Sequence, residues 1–400
     1  MKKIDTSAVQ KYFTEETIGL VNRTSELKQL KYAILTKEHM LLTGRAGTGK
    51  SQFAMRAFEH ITGSKLFSIH LTKQTTEEYV FGPLDINEFK KGKIKHNIED
   101  GILTADFAFI DEFFDASDVL LRSLLGVLNE RVWMKAGHVK APLHTAVLTS
   151  NYTRESEVTD AVLDRIIFKA DITPLNDHIQ RVKAYNNYLL DGTQVKYPTL
   201  SLTELQEMAS IIEDPNSIKF PNDVLEVYDQ LADEFQNEFK PSGKTNTEGR
   251  KYLSQRTLHK ALKVAKASAL LRDNSTVDFD DLEEMKYVFC TLNNREEEAV
   301  FDAVFDKIVA PAKENVQIQT TLKNFSQQLG SFATDPSKID DESELIEMCR
   351  SLTALTESVQ ELRNRTKDSR LQKQASTIIS DAELLARKSS IRLKDLVKSN

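Results

Sequence analysis

The 400-residue chain is 40% hydrophobic and 28% charged, with 14 Gly and 9 Pro, an ordinary globular composition whose length suits two or three domains. A formal net charge of −7 argues against broad, nonspecific binding to nucleic acid or an anionic membrane, while leaving a local basic groove open. Cys290 and Cys349 are far apart and form no CxxC or zinc spacing, which fits a reducing compartment. No run approaches the roughly 18 apolar residues of a membrane span, and Met1 to Asp5 carry no hydrophobic leader, so a cytoplasmic chain is expected.

In chain order, residues 7–38 read as helical, with Glu26, Leu27, Leu30, Ile34 and Leu35 at helical spacing. Met40-Leu41-Leu42 has the character of a short buried strand, and Gln52 to His60 reads as a helix. Between them, Gly44-Arg45-Ala46-Gly47-Thr48-Gly49-Lys50-Ser51 fits the phosphate-loop pattern G-x-x-x-x-G-K-[ST]. Glycines let such a loop aim backbone N–H groups at phosphate oxygens, and the following helix adds its dipole. Lys50 can reach the β- and γ-phosphates, and the Ser51 hydroxyl can hold Mg²⁺. The pattern predicts binding of a nucleoside triphosphate.

Further strands are expected at Leu66 to Leu71, Phe107 to Ile110, Thr145 to Ser150 and Ile166 to Ile172. Strands alternating with helical segments predict an α/β domain with a five-stranded parallel sheet. Ligands sit at the carboxyl ends of such strands, and Gly44, Asp111, Glu112 and Asn151 all fall there. Asp111-Glu112 resembles a Walker B element, in which Asp orders Mg²⁺ and Glu takes a proton from the attacking water or orients it. An acidic helix cap after a strand is the plainer alternative. Asn151 can polarise the water or contact the γ-phosphate, or simply form a turn.

From Pro174 the strand signal stops. Leu200 to Glu213 and Pro221 to Phe239 read as amphipathic helices, and 240–249 as a polar loop. A strong helix begins at Ser254-Gln255-Arg256, with Leu258, Leu262, Ala265 and Ala269 on one face. Asp280 or Asp281 is placed to cap one more. Beyond 312, Leu322, Phe325, Leu329 and Phe332 precede a break at Asp335-Pro336. Leu345, Met348, Leu352, Leu355, Val359 and Leu362 then alternate by three and four, and a third helix is expected from Leu371 to Leu396. These predict a helical bundle without an enzymatic constellation.

Together the phosphate loop, Ile110-Asp111-Glu112 and Ser150-Asn151 resemble an AAA+ ATPase core. Glu77-Glu78-Tyr79-Val80-Phe81-Gly82-Pro83-Leu84 resembles the segment opening the helix-2 insertion of the MoxR family, especially its RavA-like branch. Leu124-Leu125-Gly126-Val127-Leu128-Asn129-Glu130-Arg131 resembles the helix after Walker B in that family, and Leu163-Asp164-Arg165 its arginine-finger stretch. Phe113-Phe114 departs from the pattern by its bulk. The resemblance covers about residues 7–290 and implies an AAA+ nucleotide-binding domain with its helix-2 insertion over 1–173 and an all-α lid over 174–311, to which periodicity adds the helical bundle over 312–400. It implies ATP and Mg²⁺ as ligands, and a homo-oligomeric ring, usually a hexamer. A chaperone-like action on a protein partner, often one with a von Willebrand A domain, is implied too.

Arg165 from a neighbouring subunit could stabilise charge on the transferring phosphoryl group, or could merely pair with Asp164 or Glu157. Arg256 sits where the family places its second sensor, or pairs with a nearby carboxylate. Lys90, Lys91, Lys93, Lys95 and His96 surround Gly92 at an expected hairpin tip, either solvated or meeting an acidic partner or nucleic acid. An ATP-driven protein remodeller is the leading expectation. The motor of a nucleic-acid-acting, restriction-type complex and a nucleotide-gated scaffold are the alternatives; with this acidic balance, nucleic acid is not the expected partner.

Overall fold

Each apolar run becomes a buried strand. In the computed structural model, which describes residues 5–135, 138–152, 157–189, 199–238, 253–292, 294–332 and 336–399, the strands follow in chain order. They are β1 (Met40–Thr43), β2 (Ile61–Thr62), β3 (Leu66–His70), β4 (Phe107–Asp111), β5 (Val132–Trp133), β6 (Val139–Lys140), β7 (Thr145–Thr149), β8 (Phe168–Asp171) and β9 (Leu200–Ser201). Five make one parallel sheet in the order β3-β4-β7-β1-β8, as the alternating pattern predicts. β1 and β7 are buried along their whole length, because helices cover both faces of a central parallel strand.

The chain leaves β1 toward one side of the sheet and returns to its other side as β8. The carboxyl end of β1 is therefore a topological switch point, where a crevice opens for a ligand. Register places Leu42 beside Thr149 and Ala170, and His70 beside Asp111, so the strand ends line up. Beneath them Leu41, Ile110 and Leu148 join Leu121, Leu124 and Leu128 of the helix Asp118–Glu130 in one apolar core.

Several local expectations are corrected. Residues 7–38 form three helices, Ser7–Tyr12, Glu15–Ile18 and Thr24–Leu35, because Gly19 turns left-handed after the second. The strand signal does not stop at Pro174: β9 pairs in parallel with β2. At the insertion, Asp85 accepts from Asn87 N and Glu88 N and caps a short helix, Ile86–Lys90. The basic turn around Gly92 thus follows a helix and is closed by one antiparallel bridge, Leu84 to His96, rather than by a β-hairpin. The late cap is Asp278, with Asp281 completing a capping box over the 3₁₀ turn Phe279–Met285.

The helices Leu202–Glu213, Asn222–Glu238 and Gln255–Leu271 form where periodicity places them, the last capped by Ser254. The polar loop 240–249 lies outside the described residues. The chain divides into two compact units, Met1–Val304 and Phe305–Asn400, at a point inside the helix Arg295–Ser331. In the second unit Leu322, Leu345, Met348, Leu352, Leu355 and Val359 pack against Leu371, Ala375, Ile378 and Ala382 of the helix Ser369–Ser399. This is the core that the alternation by three and four predicts. No described helix is long and apolar enough to cross a membrane.

Candidate active site

The phosphate loop begins hard against β8. Gly44 follows β1 at φ +137°, and a Cβ there would lie 2.4 Å from the Ile172 carbonyl oxygen, so no other residue fits. At its other end Gly49 is left-handed and leads directly into the helix Lys50–Glu59. Thr48 Oγ1 donates to the Arg45 carbonyl at 2.8 Å and tightens the turn, while Ala46 and Gly47 remain exposed.

Lys50 is buried, and its Nζ donates to Gly44 O at 2.7 Å, Arg45 O at 3.1 Å and Asn151 Oδ1 at 2.8 Å. Burial lowers the Lys50 ammonium from its ordinary value, against the pull of Glu112, Asp111 and Asp171. Asn151 Nδ2 donates in turn to Glu112 Oε1, so one amide joins the loop lysine to the glutamate that follows β4. Glu112 Oε2 is buried without a hydrogen-bond partner.

Asp111 ends β4, with Ser51 Oγ donating to its Oδ2 at 3.3 Å and the Thr149 hydroxyl donating to its Oδ1. His70 Nδ1 lies 3.6 Å from the same Oδ2. Burial alone would raise the Asp111 carboxyl, but Thr149, the Glu112 N–H and His70 together hold it below its ordinary value. Glu112 is left-handed at φ 50° and ψ 47°, a conformation costing about 1 kcal/mol for a side-chain-bearing residue. Phe113 and Phe114 explain how it is held. Both are fully buried, edge to face at 5.5 Å, and anchor the 3₁₀ turn that follows. Their bulk is thus a structural device for aiming the glutamate.

The donor set suits a nucleotide and Mg²⁺. A hydroxyl and one carboxylate are the hard oxygens that Mg²⁺ takes alongside phosphates and water. The position of a Gly47 Cβ meets no atom within 4 Å, so the loop faces open space. That space is a cavity of about 410 Å³ lined by Gly19, Val21, Arg23, Gly47, Gly49 and Arg56, with Tyr185 and Tyr188 opposite. A second, of about 600 Å³, touches Gly44, Arg45, Asn151, Tyr152 and Asp171.

The two candidate arginines stand apart from this cluster. Arg165 ends the helix Glu157–Arg165 and donates from Nη1 to Ala161 O at 2.8 Å. Arg256 pairs with Asp164, the residue before Arg165. The Glu157 side chain lies outside the described residues. Among the described residues, no hydrogen bond or ion pair joins Arg165 or Arg256 to Lys50, Asp111, Glu112 or Asn151. Sequence reasoning missed Thr149, His70, Arg23 and the cavity wall at Gly19 to Val21. Polar residues closing two apolar strands were a usable signal for the first two; the wall has none, being set by packing.

A family model for the MoxR domain in the MoxR-vWA-beta-propeller ternary systems matches residues 7–210. The chain is similar to two uncharacterized proteins of Methanocaldococcus jannaschii. One is 29% identical over 271 residues, 67% of this chain and 66% of that protein, so the chain spans about two thirds of its length. The other is 28% identical over 272 residues, 67% of this chain and 68% of that protein. It is also similar to structural protein ORF618 of Acidianus two-tailed virus, 24% identical over 228 residues, 55% of this chain and 35% of that protein. In fold it is similar to the crystal structure of a candidate ATPase of Cytophaga hutchinsonii, with a TM-score of 0.58 and 17% identity over 76% of this chain and 94% of that one.

Proposed function

The chain belongs to the MoxR family of AAA+ ATPases, and from that premise we propose that it hydrolyses ATP as a ring, a hexamer in the family pattern, to remodel a protein partner. The description of the matching family supports a von Willebrand A domain protein as that partner. Within the family, Glu77 to Leu84 support a place beside the RavA-like branch, and a cytoplasmic setting belongs to the same reading.

The carrying observation is the chain of contacts from Lys50 through Asn151 to Glu112. Backbone N–H groups of Gly44 to Ser51 and the Lys50 ammonium hold the phosphates. Ser51 and Asp111 would hold Mg²⁺, which would supply charge neutralisation to the phosphates. Glu112 accepts a proton from water as the water oxygen bonds to the γ-phosphorus and the bond to the bridging oxygen breaks, releasing ADP. Asn151 positions that carboxylate, and Glu112 Oε2 is an acceptor the protein does not use. Arg165 from a neighbour and Arg256 complete the charge stabilisation.

Lys50→Ala tests the reading. It removes charge-assisted contacts worth about 1.5–3 kcal/mol, so affinity for a fluorescent ATP analogue falls by an order of magnitude or more. Wild-type affinity in this variant would sink the phosphate-loop assignment.

A further inference from the structure

We propose that Arg23 is a positioning residue for the nucleotide, its guanidinium holding the far end of the phosphate loop and the turn after β8 in their binding-ready arrangement. The inference rests on the nucleotide reading above and names a residue outside the motif that this reading uses.

Arg23 is only 5% exposed. Its Nη2 donates to Thr48 O at 3.3 Å and to Thr173 O at 3.0 Å, and its Nη1 to Asn22 O at 2.7 Å. Three backbone carbonyls from three separate segments thus converge on one planar fork, whose two nitrogens donate from separate points where a lysine ammonium would offer one. The main chain that carries the fork is itself held, because the Arg23 backbone N–H donates to Glu15 Oε1 at 2.7 Å, which also accepts from Thr24 Oγ1 at 2.8 Å. Glu15 and Glu26 balance its charge.

The two carbonyls decide what the fork does. A peptide unit is planar and trans, so pulling the Thr48 carbonyl toward Arg23 turns the Gly49 N–H to the opposite side. Thr173 directly follows Ile172, whose carbonyl already abuts Gly44 at the start of the loop. Both ends of the loop are therefore referred to one strand end, the first by contact at Gly44 and the last through Arg23. Arg23, Thr48 and Pro174 also line the 410 Å³ cavity, so the same fork sets its wall. A loop so held loses less freedom when phosphates arrive, which strengthens binding without touching the chemical step.

The test uses Arg23→Lys and Arg23→Gln in the full chain, with Lys50→Ala as control. Binding of mant-ATP is read by anisotropy, KM and kcat by steady-state hydrolysis, and folding by circular dichroism. Both Arg23 variants should weaken mant-ATP binding and raise KM by about 10-fold, with kcat at saturating ATP within about threefold of wild type. Lys should rescue little, since charge without the fork is not enough. Unchanged affinity and KM with only a lower melting temperature would make Arg23 a structural strut and overturn the proposal; so would a fall in kcat at constant KM. Should both variants fail to fold, Glu15→Ala, which removes the carboxylate that holds the Arg23 backbone, decides: a raised KM with kcat near wild type supports the proposal, and an unchanged KM overturns it. Loss of binding in Lys50→Ala alongside wild-type binding in both Arg23 variants would sink this inference alone, whereas binding intact in Lys50→Ala would sink the nucleotide reading itself.

Discussion

The two ends of the same parallel strands treat ionisable groups in opposite ways. At the carboxyl ends Lys50 donates to Gly44 O, Arg45 O and Asn151 Oδ1, Asp111 accepts from Ser51 and Thr149, and Glu112 accepts from Asn151 on Oε1 while its Oε2 has no partner, beside two open cavities. At the amino ends His39, just before β1, and His144, just before β7, are buried among strands and helix. Ala146 N donates to His39 Nδ1 at 2.9 Å, so that nitrogen is an acceptor and the neutral ring carries its proton on Nε2, toward the Leu128 carbonyl. Arg131, left-handed at φ 57°, closes the end by donating to Lys37 O at 2.6 Å and His144 O at 3.2 Å. Burial, and then the Arg131 charge, push His39 well below its ordinary value; burial lowers His144 to about 3. The amino ends thus hold the sheet together with neutral rings, while the carboxyl ends keep charges where a ligand can exchange for their present partners.

The sharpest break in this comparison comes from outside the carboxyl-end cluster. If Arg165 works in a neighbour's site, Arg165→Ala retains ATP binding but loses about 10³-fold or more in hydrolysis. Mixing it with Lys50→Ala should restore part of the activity, because each subunit carries what the other lacks. Hydrolysis that is independent of protein concentration, with no rescue on mixing, would confine Arg165 to its own subunit.

Glu112→Gln acts within the cluster. The amide oxygen can still accept from Asn151 Nδ2, so the geometry survives while the base is lost. ATP affinity should stay near wild type and kcat fall by about 100-fold. Parallel loss of both would mean that Glu112 is structural.

The amino ends predict a smaller effect, seen in stability. An unfolded histidine binds a proton near pH 6.5, whereas buried His144 does so only near 3, so the unfolded state takes up more protons between those values. Stability is therefore intact above pH 6.5 and lost as pH falls toward 3. From pH 7 to 5 the loss from His144 is on the order of 2 kcal/mol. Urea unfolding followed through Trp133, the one tryptophan, should show it, and His144→Leu should flatten the slope. An equal slope in the variant would place the acid sensitivity elsewhere.

That Gly44 to Ser51, Asp111, Glu112 and Asn151 gather at one end of the sheet was legible because strand, loop and helix succeed one another locally. Their proposed roles depend on spacing within a few residues of a strand end, and periodicity marks those ends. The helical unit was legible for the same reason, since Leu345 to Val359 declare their buried face by alternating three and four. The pairing of β2 with β9 was not, because two residues on each side carry no period. Nor was the cap at Asp278, where neighbouring acids are equivalent until the chain turns. In sequence Arg23 is one more polar residue ahead of a helix, and His39 one histidine ahead of an apolar run. What Arg23 does depends on Thr48 and Thr173, and what His39 does depends on Leu128 and Ala146. Those partners are backbone atoms far away in the chain, which every residue possesses and no sequence pattern marks; only the packed sheet decides which of them a buried donor or ring will meet.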